Sequence, residues 1–390
     1  MHKRAIIIGA GIAGPAMALQ LKNMGIDPIV FEARKEAEMS QGVFLGITPN
    51  GLNVLKKMID INRLKEDYTP GKMIFYNARN LPIGELDTKH QLEKYGAETM
   101  QIKRANISEA LRKEASNQGI KIQYGYRLSE LEEKENAVTT YFDNGEKVEG
   151  DFLIACDGAH STCRKIAFPD APGPIYTQQL STGAMVRMNG TTPDFGVIKM
   201  VFGKRAFFAY AVSNQGEVWW FNNFYREKEP SREEIQGTLQ QEIKSHLLQI
   251  HKNDPEPIFD IIQQTDSIFA YPIYEMPTLP HWYIERVCLI GDAAHATAPH
   301  IGQGASLALE DTVVLRRCLQ QHERLEQAFA AFQNLRQPRV EKLIKTARKI
   351  GNQKSKPNSI ATFFRDLLLK HFIKFEIRKM DWIYGYKVEQ

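Results

Sequence analysis

The chain has 390 residues, a hydrophobic fraction of 43% and a net charge of +4, with a pI near 8.6. Its basic residues are spread along the sequence, which argues against a nucleic-acid footprint. No apolar run approaches the roughly 18 residues that span a bilayer, and the four cysteines have no zinc-like spacing. These features predict a soluble, cytoplasmic protein of about two domains without a metal site.

The first predicted elements form a βαβ unit. A short apolar run, Ala5–Ile8, is typical of a buried parallel strand, a helix follows over residues 12–23, and Pro28–Glu32 forms a second strand. The unit takes about 30 residues, the minimum for a right-handed crossover. It therefore predicts a Rossmann-like α/β domain at the start of the chain.

Glycines lie where that first strand meets its helix. Gly9, Gly11 and Gly14 form GxGxxG, in which the first allows a tight turn, the second lets a pyrophosphate approach the backbone and the third lets helix and strand pack closely. Glu32 ends the second strand, where its carboxylate can accept hydrogen bonds from ribose hydroxyls. The pattern predicts a dinucleotide site, NAD or FAD, and the alternative is a glycine turn without a ligand. The predicted contacts are Gly9, Gly11, Ala13, Gly14, Glu32 and Arg34.

The composition changes near Phe168. Before it, RANISEALRKEASN from Arg104 to Asn117 reads as an amphipathic helix. After the proline-rich PDAPGP, four segments alternate as antiparallel strands do: TGAMVRMN, VIKMVFG, AFFAYAVS and EVWWFNNFY. The apolar run VCLI then resumes the first pattern. We expect a cofactor-binding domain over residues 1–168 and 284–350, an inserted antiparallel-sheet substrate domain over 169–283, and a C-terminal helical segment over 351–390.

The stretch GDAAHATAPHIGQGASLALED begins at Gly291 and joins the returning strand to a helix. Asp292 ends that strand, in the crevice where parallel sheets bind ligands, and its carboxylate suits a polyol such as a ribityl chain. Gly302 and Gly304 let the backbone reach a flat ring, and the N–H groups of the following helix favour the negative charge of a reduced flavin. The predicted FAD contacts here are Asp292, Pro299, Gly302, Gln303, Gly304 and Ala305.

Three segments in this order resemble the signature of the class A FAD-dependent aromatic hydroxylases: GxGxxG with its Glu, CDGAHSTCRK from Cys156 to Lys165, and the Asp292 stretch. That family includes the salicylate, para-hydroxybenzoate and 3-hydroxybenzoate hydroxylases, with tetracycline-inactivating monooxygenases as close relatives. The resemblance covers nearly the whole chain, including AFQNLRQPRVEKL and DWIYGY. It implies tightly but non-covalently bound FAD, NAD(P)H as a transient co-substrate without its own nucleotide domain, and oxygen transfer through a flavin C4a-hydroperoxide.

The resemblance also implies roles for further positions. Arg104 matches an arginine near the FAD phosphates and ribityl, and the alternative is an exposed arginine at a helix start. Asp157 matches a middle motif that the family associates with FAD and NAD(P)H, and the alternative is a structural carboxylate at a strand end. Gln41–Gly46, which contains Gly42, resembles the segment that passes the flavin ring.

Aromatic residues on the inserted strands predict a substrate pocket. AFFAYAV and VWWFNNFY carry aromatic side chains on both faces, so one set can line a flat apolar pocket while the other packs in the core, or all can be core. The sequence does not choose the face. The candidate substrate contacts are Phe208, Tyr210, Trp220, Asn222 and His300.

Other polar residues near these motifs have competing interpretations. His295 is expected to be structural, and no general base is assigned. Arg187 and Arg205 either pair with a substrate carboxylate or are surface arginines. The helix FFRDLLLKHFIKF, residues 363–375, either packs against the protein or associates with a membrane surface.

The predicted function is an FAD-dependent monooxygenase that uses NAD(P)H and O₂ to hydroxylate an aromatic or polycyclic small molecule. We expect a monomer or homodimer without a nucleic-acid or membrane partner. The alternatives are a tetracycline-inactivating monooxygenase, a flavin oxidase or dehydrogenase on the same fold, and a non-catalytic flavin-binding protein.

Overall fold

The structure is a computed structural model that describes residues 3–39, 44–64, 72–189, 194–352 and 380–388. Its strands are β1 (Arg4–Ile8), β2 (Asp27–Glu32), β3 (Phe44–Ile47), β4 (Lys72–Asn77), β5 (Pro82–Asp87), β6 (Met100–Lys103), β7 (Lys121–Tyr124), β8 (Leu128–Glu133), β9 (Val138–Phe142), β10 (Lys147–Gly150), β11 (Phe152–Ala155), β12 (Ile175–Val186), β13 (Val197–Phe202), β14 (Phe207–Val212), β15 (Val218–Tyr225), β16 (Phe269–Glu275), β17 (Tyr283–Ile284) and β18 (Val287–Leu289).

The α-helices alternate with these strands in the first part of the chain and dominate its last part. They are α1 (Ala13–Lys22), α2 (Pro49–Leu55), α3 (Thr88–Tyr95), α4 (Arg104–Asn117), α5 (Thr162–Ala167), α6 (Arg232–Gln236), α7 (Thr238–His251), α8 (Ile258–Gln264), α9 (Asp292–His295), α10 (Gly304–Gln321), α11 (Leu325–Asn352) and α12 (Asp381–Tyr384). Short 3-10 helices lie at Glu36–Glu38, Ile61–Leu64 and Pro299–Ile301.

A six-stranded sheet in the order β17-β18-β11-β1-β2-β7 forms the centre of the first layer. All neighbours are parallel except β17 and β18. Its strands are short apolar runs because both faces are covered, and Ile7, for example, pairs with Val30 on one side and Ile154 on the other. The predicted βαβ unit and the return of the chain to this sheet at Val287 are confirmed.

A seven-stranded sheet in the order β16-β12-β15-β14-β13-β4-β5 forms the second layer. The four predicted alternating segments are its strands β12 to β15. The sheet also takes β4 and β5 from residues 72–87, which the sequence analysis assigned to the first part of the cofactor-binding domain. β4 lies parallel to β13, whereas the other neighbours are antiparallel. Local alternation cannot reveal this pairing, because its two strands lie more than one hundred positions apart.

Two apolar cores follow from this arrangement. One surrounds the six-stranded sheet and includes α1, α10 and α11. The other lies between the seven-stranded sheet and helices α7 and α8, where Leu247 and Ile261 pack against Phe208 and Trp220. The predicted α/β fold with a second, largely antiparallel sheet is confirmed.

Two expectations fall outside the described residues: the FAD contact at Gly42 and the helix over residues 363–375. Within the described part of the chain, no helix combines the length and the apolar character that crossing a bilayer requires.

Candidate active site

The first glycine turn is wedged against the strand that carries the middle motif. Gly9 has φ +105°, and a Cβ there would lie 2.4 Å from the carbonyl oxygen of Cys156. A Cβ at Gly14 would lie 1.9 Å from the carbonyl oxygen of Gly9, so α1 approaches the turn too closely for a side chain. At Gly11, by contrast, no described atom lies within 4 Å of a Cβ. The turn therefore has an open backbone beside the positive end of α1, which fits a pyrophosphate.

Glu32 lies at the end of β2 with its carboxylate directed at that turn. One oxygen accepts a hydrogen bond from the backbone N–H of Ala10 at 2.8 Å. The other accepts from the backbone N–H and the side chain of Arg34 at 3.0 and 3.1 Å. The side chain of Arg112 donates to the carbonyl oxygen of Ala10 at 3.4 Å. Sequence reasoning missed Arg112, since 102 positions separate it from the turn that it contacts.

The middle motif ties its own loop together. Asp157 accepts hydrogen bonds from the hydroxyl of Ser161 at 2.6 Å and from the backbone N–H of Cys163 at 3.0 Å. Arg164 is buried and donates to the carbonyl oxygens of Ala159 and Ala293, each at 2.6 Å. Burial lowers the pKa of Arg164. In this structure, Asp157 therefore holds Ser161, the N-cap of α5, and the first turn of that helix, and Arg164 links the middle motif to the stretch that follows β18.

That later stretch meets the first glycine turn. Gly291 has φ +58°, and a Cβ there would lie 3.1 Å from the Cβ of Ala308 on α10 and 3.6 Å from the Cβ of Ala13 on α1. The strand end thus fits between two helices that begin almost 300 residues apart in sequence. This convergence places the amino ends of both helices at one edge of the six-stranded sheet, as the sequence motifs require.

The loop after Asp292 folds back toward β3. Asp292 is exposed, and its Oδ1 lies 3.8 Å from the position of a Cβ at Gly304. Gly302 has φ +62°, and a Cβ there would lie 3.9 Å from the carbonyl oxygen of Gly46. A carboxylate, two glycine positions and the described part of the Gln41–Gly46 segment therefore border one space, which suits a ribityl chain that ends in a flat ring.

The other predicted cofactor and substrate contacts near this loop differ in how far they are exposed to solvent. Pro299 is exposed and His300 is half-buried in the same 3-10 turn, while Ala305 is half-buried in the first turn of α10. Arg104 is exposed at the first residue of α4. Burial raises the pKa of Tyr271 on β16, and the positive charge of Arg104 partly opposes that rise, so Arg104 lies close to the second sheet.

A buried polar network supports the glycine loop from below. The amide of Gln303 donates to the hydroxyl of Thr48 at 2.7 Å, and its carbonyl oxygen accepts from Asn50 at 3.0 Å. Asn50 also donates to Glu310 at 2.7 Å, and the hydroxyls of Thr48 and Ser306 lie 2.9 Å apart. The side chain of Gln303 is therefore occupied in holding the loop, which leaves its backbone for a ligand.

A charged cluster beneath that network is fully buried. The guanidinium of Arg336 lies 2.7 Å from both Glu310 and Asp311, and Nε2 of His295 lies 2.6 Å from Asp311. Burial would raise the pKa of Asp311, but His295 and Arg336 outweigh it and hold that pKa below its usual value. Asp311 also accepts from the backbone N–H of Gly291 at 2.9 Å. The cluster therefore fixes the strand end, and His295 is one of its members.

The C-terminal segment, residues 380–388, closes this cluster from outside. Arg339 binds Glu310 through two contacts of 2.8 Å and donates to the carbonyl oxygen of Trp382 at 3.1 Å. Its guanidinium lies 3.7 Å from the centre of the Tyr386 ring. The segments AFQNLRQPRVEKL and DWIYGY entered the sequence analysis only as part of the family resemblance. No local sequence pattern predicts that they contact each other.

A small apolar cavity opens on one face of the seven-stranded sheet. The ring of Phe44 on β3 lies 5.4 Å from Trp219 and 6.0 Å from Phe221. Because β3 also borders Gly302, this face of the sheet is turned toward the glycine loop. The cavity is lined by Phe44, Gln101, Ile198, Ala209, Tyr210, Ala211, Trp219 and Phe221.

The candidate substrate contacts on the sheet lie mostly on its opposite face. Phe208 and Trp220 stack with ring centres 5.2 Å apart and pack against α7 and α8. Asn222 is fully buried, 2.7 Å from Nε2 of the buried His251. Tyr210 packs in the same core and also borders the cavity. All four side chains therefore belong to the helix-covered core, and Tyr210 alone among them also borders the cavity. Arg187 and Arg205 are exposed.

Comparisons with known proteins agree with this geometry. The family model described as FAD binding domain matches residues 3–347. The FAD-dependent urate hydroxylase of Klebsiella oxytoca is 27% identical over 350 residues, which is 89% of each chain. The solved structure of Klebsiella pneumoniae HpxO with FAD and uric acid superimposes with a TM-score of 0.81 at 24% identity, covering 97% of this chain and 93% of that one. The tetracycline destructase Tet(55) gives 0.74 at 20% identity, covering 97% and 96%.

Proposed function

The chain belongs to the FAD-binding-domain family, and from that premise we propose that it is an NAD(P)H-dependent flavin monooxygenase that hydroxylates a small aromatic molecule. The class A aromatic hydroxylase resemblance is confirmed, since the relatives are named hydroxylases and monooxygenases. One observation carries the proposal. Gly291 lies against both Ala13 and Ala308, so the two glycine-rich segments meet, and this contact supports a single elongated site.

The residues of this site fit FAD along its length. In our proposal, the open turn at Gly11 and the amino end of α1 hold the pyrophosphate, and Glu32 holds the adenosine ribose. Asp292 holds the ribityl chain, and the backbone from Gly302 to Ala305 faces the pyrimidine edge of the ring. Bound FAD would accept a hydride from NAD(P)H and then activate O₂. The chain's own task is to orient both partners and to exclude water.

We propose that substrate binds on the cavity face of the seven-stranded sheet. Trp219 and Phe221 are the aromatic residues of β15 that line the cavity, and Phe44 closes it from the side of the glycine loop. The role proposed for Phe208 and Trp220 is accordingly structural.

The function is tested with the purified protein and FAD. We expect a yellow protein that oxidises NADH or NADPH faster when an aromatic substrate is present and that adds one oxygen atom to it. The panel includes phenols, hydroxypyridines, urate, quinolones and a tetracycline, and the product is identified by mass spectrometry. Flavin reduction without any oxygenated product would favour an oxidase or dehydrogenase. A protein that cannot take up FAD would contradict the proposal altogether.

A matched pair of variants tests the placement of the cofactor. Asp292→Ala removes the exposed carboxylate beside Gly304, so we expect FAD to be lost on gel filtration. Asp170→Ala removes another exposed carboxylate, beyond α5, and we expect FAD to be retained. If Asp292→Ala keeps its full FAD content, the ribityl chain does not bind at that side chain.

A further inference from the structure

Two buried side-chain amides lie on the cavity face of the seven-stranded sheet. Gln179 on β12 and Asn223 on β15 are 5% and 1% exposed. Within the described chain, the side-chain carbonyl oxygen of neither residue has a hydrogen-bond partner. Buried polar atoms are almost always paired, and an unpaired one is costly. The two oxygens therefore need hydrogen-bond donors that the described part of the chain does not provide.

The register of the sheet shows that the two amides are neighbours. Gln179 pairs with Tyr225, and Ser181 pairs with Asn223, so Gln179 and Asn223 are diagonal neighbours on one face. Phe221 lies two residues before Asn223 on the same strand, about 7 Å away along that face. Because Phe221 lines the cavity, the amide pair lies at one end of the same surface.

The backbone next to Gln179 is irregular. Gln178 has φ +57°, and the pairing of β12 with β16 shifts between Tyr176 and Leu180. Bulges of this kind re-aim side chains and occur often beside active sites. A strained backbone that presents an amide with an unpaired oxygen is a second, independent sign that this position serves a ligand.

A lysine and a carboxylate lie together at the Trp219 end of the cavity. Lys103 lies over the ring of Trp219 at 5.4 Å, and its ammonium is 3.9 Å from Glu217. Glu217 also accepts a hydrogen bond from the indole N–H of Trp219 at 2.8 Å. At this end of the cavity, the positive charge of Lys103 is therefore paired with a carboxylate next to Trp219.

We propose that Gln179 and Asn223 form a receptor for the ring N–H or phenolic O–H groups of a neutral heteroaromatic substrate. This inference rests on the proposed function, because it takes the apolar cavity as the place of an aromatic ring. The cavity binds the ring and the amide oxygens accept from its donors. Molecules that carry a carboxylate in place of these donors are then poor ligands.

The test compares two probes that differ in a single donor, 4-quinolone and N-methyl-4-quinolone. Each is bound to the purified FAD-loaded protein by equilibrium dialysis, which requires no turnover, and the absorbance of the same sample reports FAD content. We expect 4-quinolone to bind about tenfold more tightly. In the double variant Gln179→Leu/Asn223→Leu the ratio should fall to about one, because neither amide acceptor remains to distinguish the probes, and at least one of the two single variants should lower it.

Asn222→Leu is the matched control. It changes the adjacent asparagine, which faces the helices and contacts His251, so it should lower the melting temperature while leaving the ratio of affinities unchanged. Equal affinities in the wild type, or binding of neither probe, would overturn the proposal. An unchanged ratio in both cavity-face variants would do the same. Loss of FAD from those variants with the fold intact would assign the amides to the cofactor instead. A colourless wild type would contradict the proposed function, and the dialysis ratio would still report on the amides.

Discussion

The cofactor side of the molecule and the face of the seven-stranded sheet are specified in different ways. On the cofactor side, each feature lies at a strand end followed by a glycine turn, and Gly9 and Gly291 occupy equivalent places in two such units. On the sheet, Phe208 and Phe221 look alike in sequence, yet one packs against helices and the other lines a cavity. Motifs at strand ends can therefore be predicted from neighbouring residues in the sequence. The role of a sheet face, by contrast, depends on which distant elements pack against it.

The largest expected effect lies beneath the cofactor side. Arg336→Met leaves Glu310 and Asp311 buried without their shared cation, so we expect a loss of about 3–5 kcal/mol in the free energy of unfolding. Urea denaturation monitored by circular dichroism measures it. Arg324→Met, which breaks an exposed pair with Glu326, should change stability by no more than about 1 kcal/mol. Similar losses in the two variants would show that the buried cluster does not support this side.

Substitutions at two glycines of the first turn distinguish an effect on helix packing from an effect on FAD binding. Gly14→Ala places a Cβ 1.9 Å from the carbonyl oxygen of Gly9, so we expect a loss of about 3 kcal/mol or more as α1 is displaced. Gly11→Ala meets no described atom within 4 Å, so the FAD-free protein should keep its stability within about 1 kcal/mol. Its retention of FAD should nevertheless fall, as measured by absorbance after gel filtration. Full retention of FAD by Gly11→Ala would show that the pyrophosphate does not bind at this turn.

A pair of phenylalanines tests the choice of sheet face, with the smallest effects. Phe208→Leu should cost about 1–2 kcal/mol of stability and leave KM for an aromatic substrate unchanged, because its ring packs against helices. Phe221→Leu should raise KM several-fold with a smaller stability loss, since its ring borders the cavity. Steady-state kinetics and thermal melting on both variants decide the matter. A raised KM in Phe208→Leu with an unchanged KM in Phe221→Leu would show that the substrate binds on the face of Phe208.

The sequence predicts most of the cofactor side because its determinants are close together. Gly9, Gly14 and Glu32 fall within one βαβ unit, and Asp292 and Gly304 fall within the single connection from β18 to α10. Their meeting across the chain was inferred from the rule that ligands bind at the carboxyl ends of parallel strands. Arg112 carries no such signal, because only the folded structure brings α4 to the turn.

The sheet could be predicted as strands but not as a surface. The alternation in VWWFNNFY correctly separates two faces, and both are aromatic, so hydrophobicity alone does not rank them. The decision comes from α7 and α8, which cover one face, and from β3, which leaves a cavity on the other. The addition of β4 and β5 depends on pairing with β13, a contact between distant parts of the chain.

The docking of residues 380–388 has a consequence for the order of assembly. Asp381 pairs with Lys94 at 2.6 Å, and the aromatic residues of this segment cover Arg339, which in turn holds Glu310 beneath the glycine loop. The support of the glycine loop is therefore complete only when this late segment has packed against α11. In refolding, coenzyme uptake should follow that packing rather than the earlier formation of the six-stranded sheet.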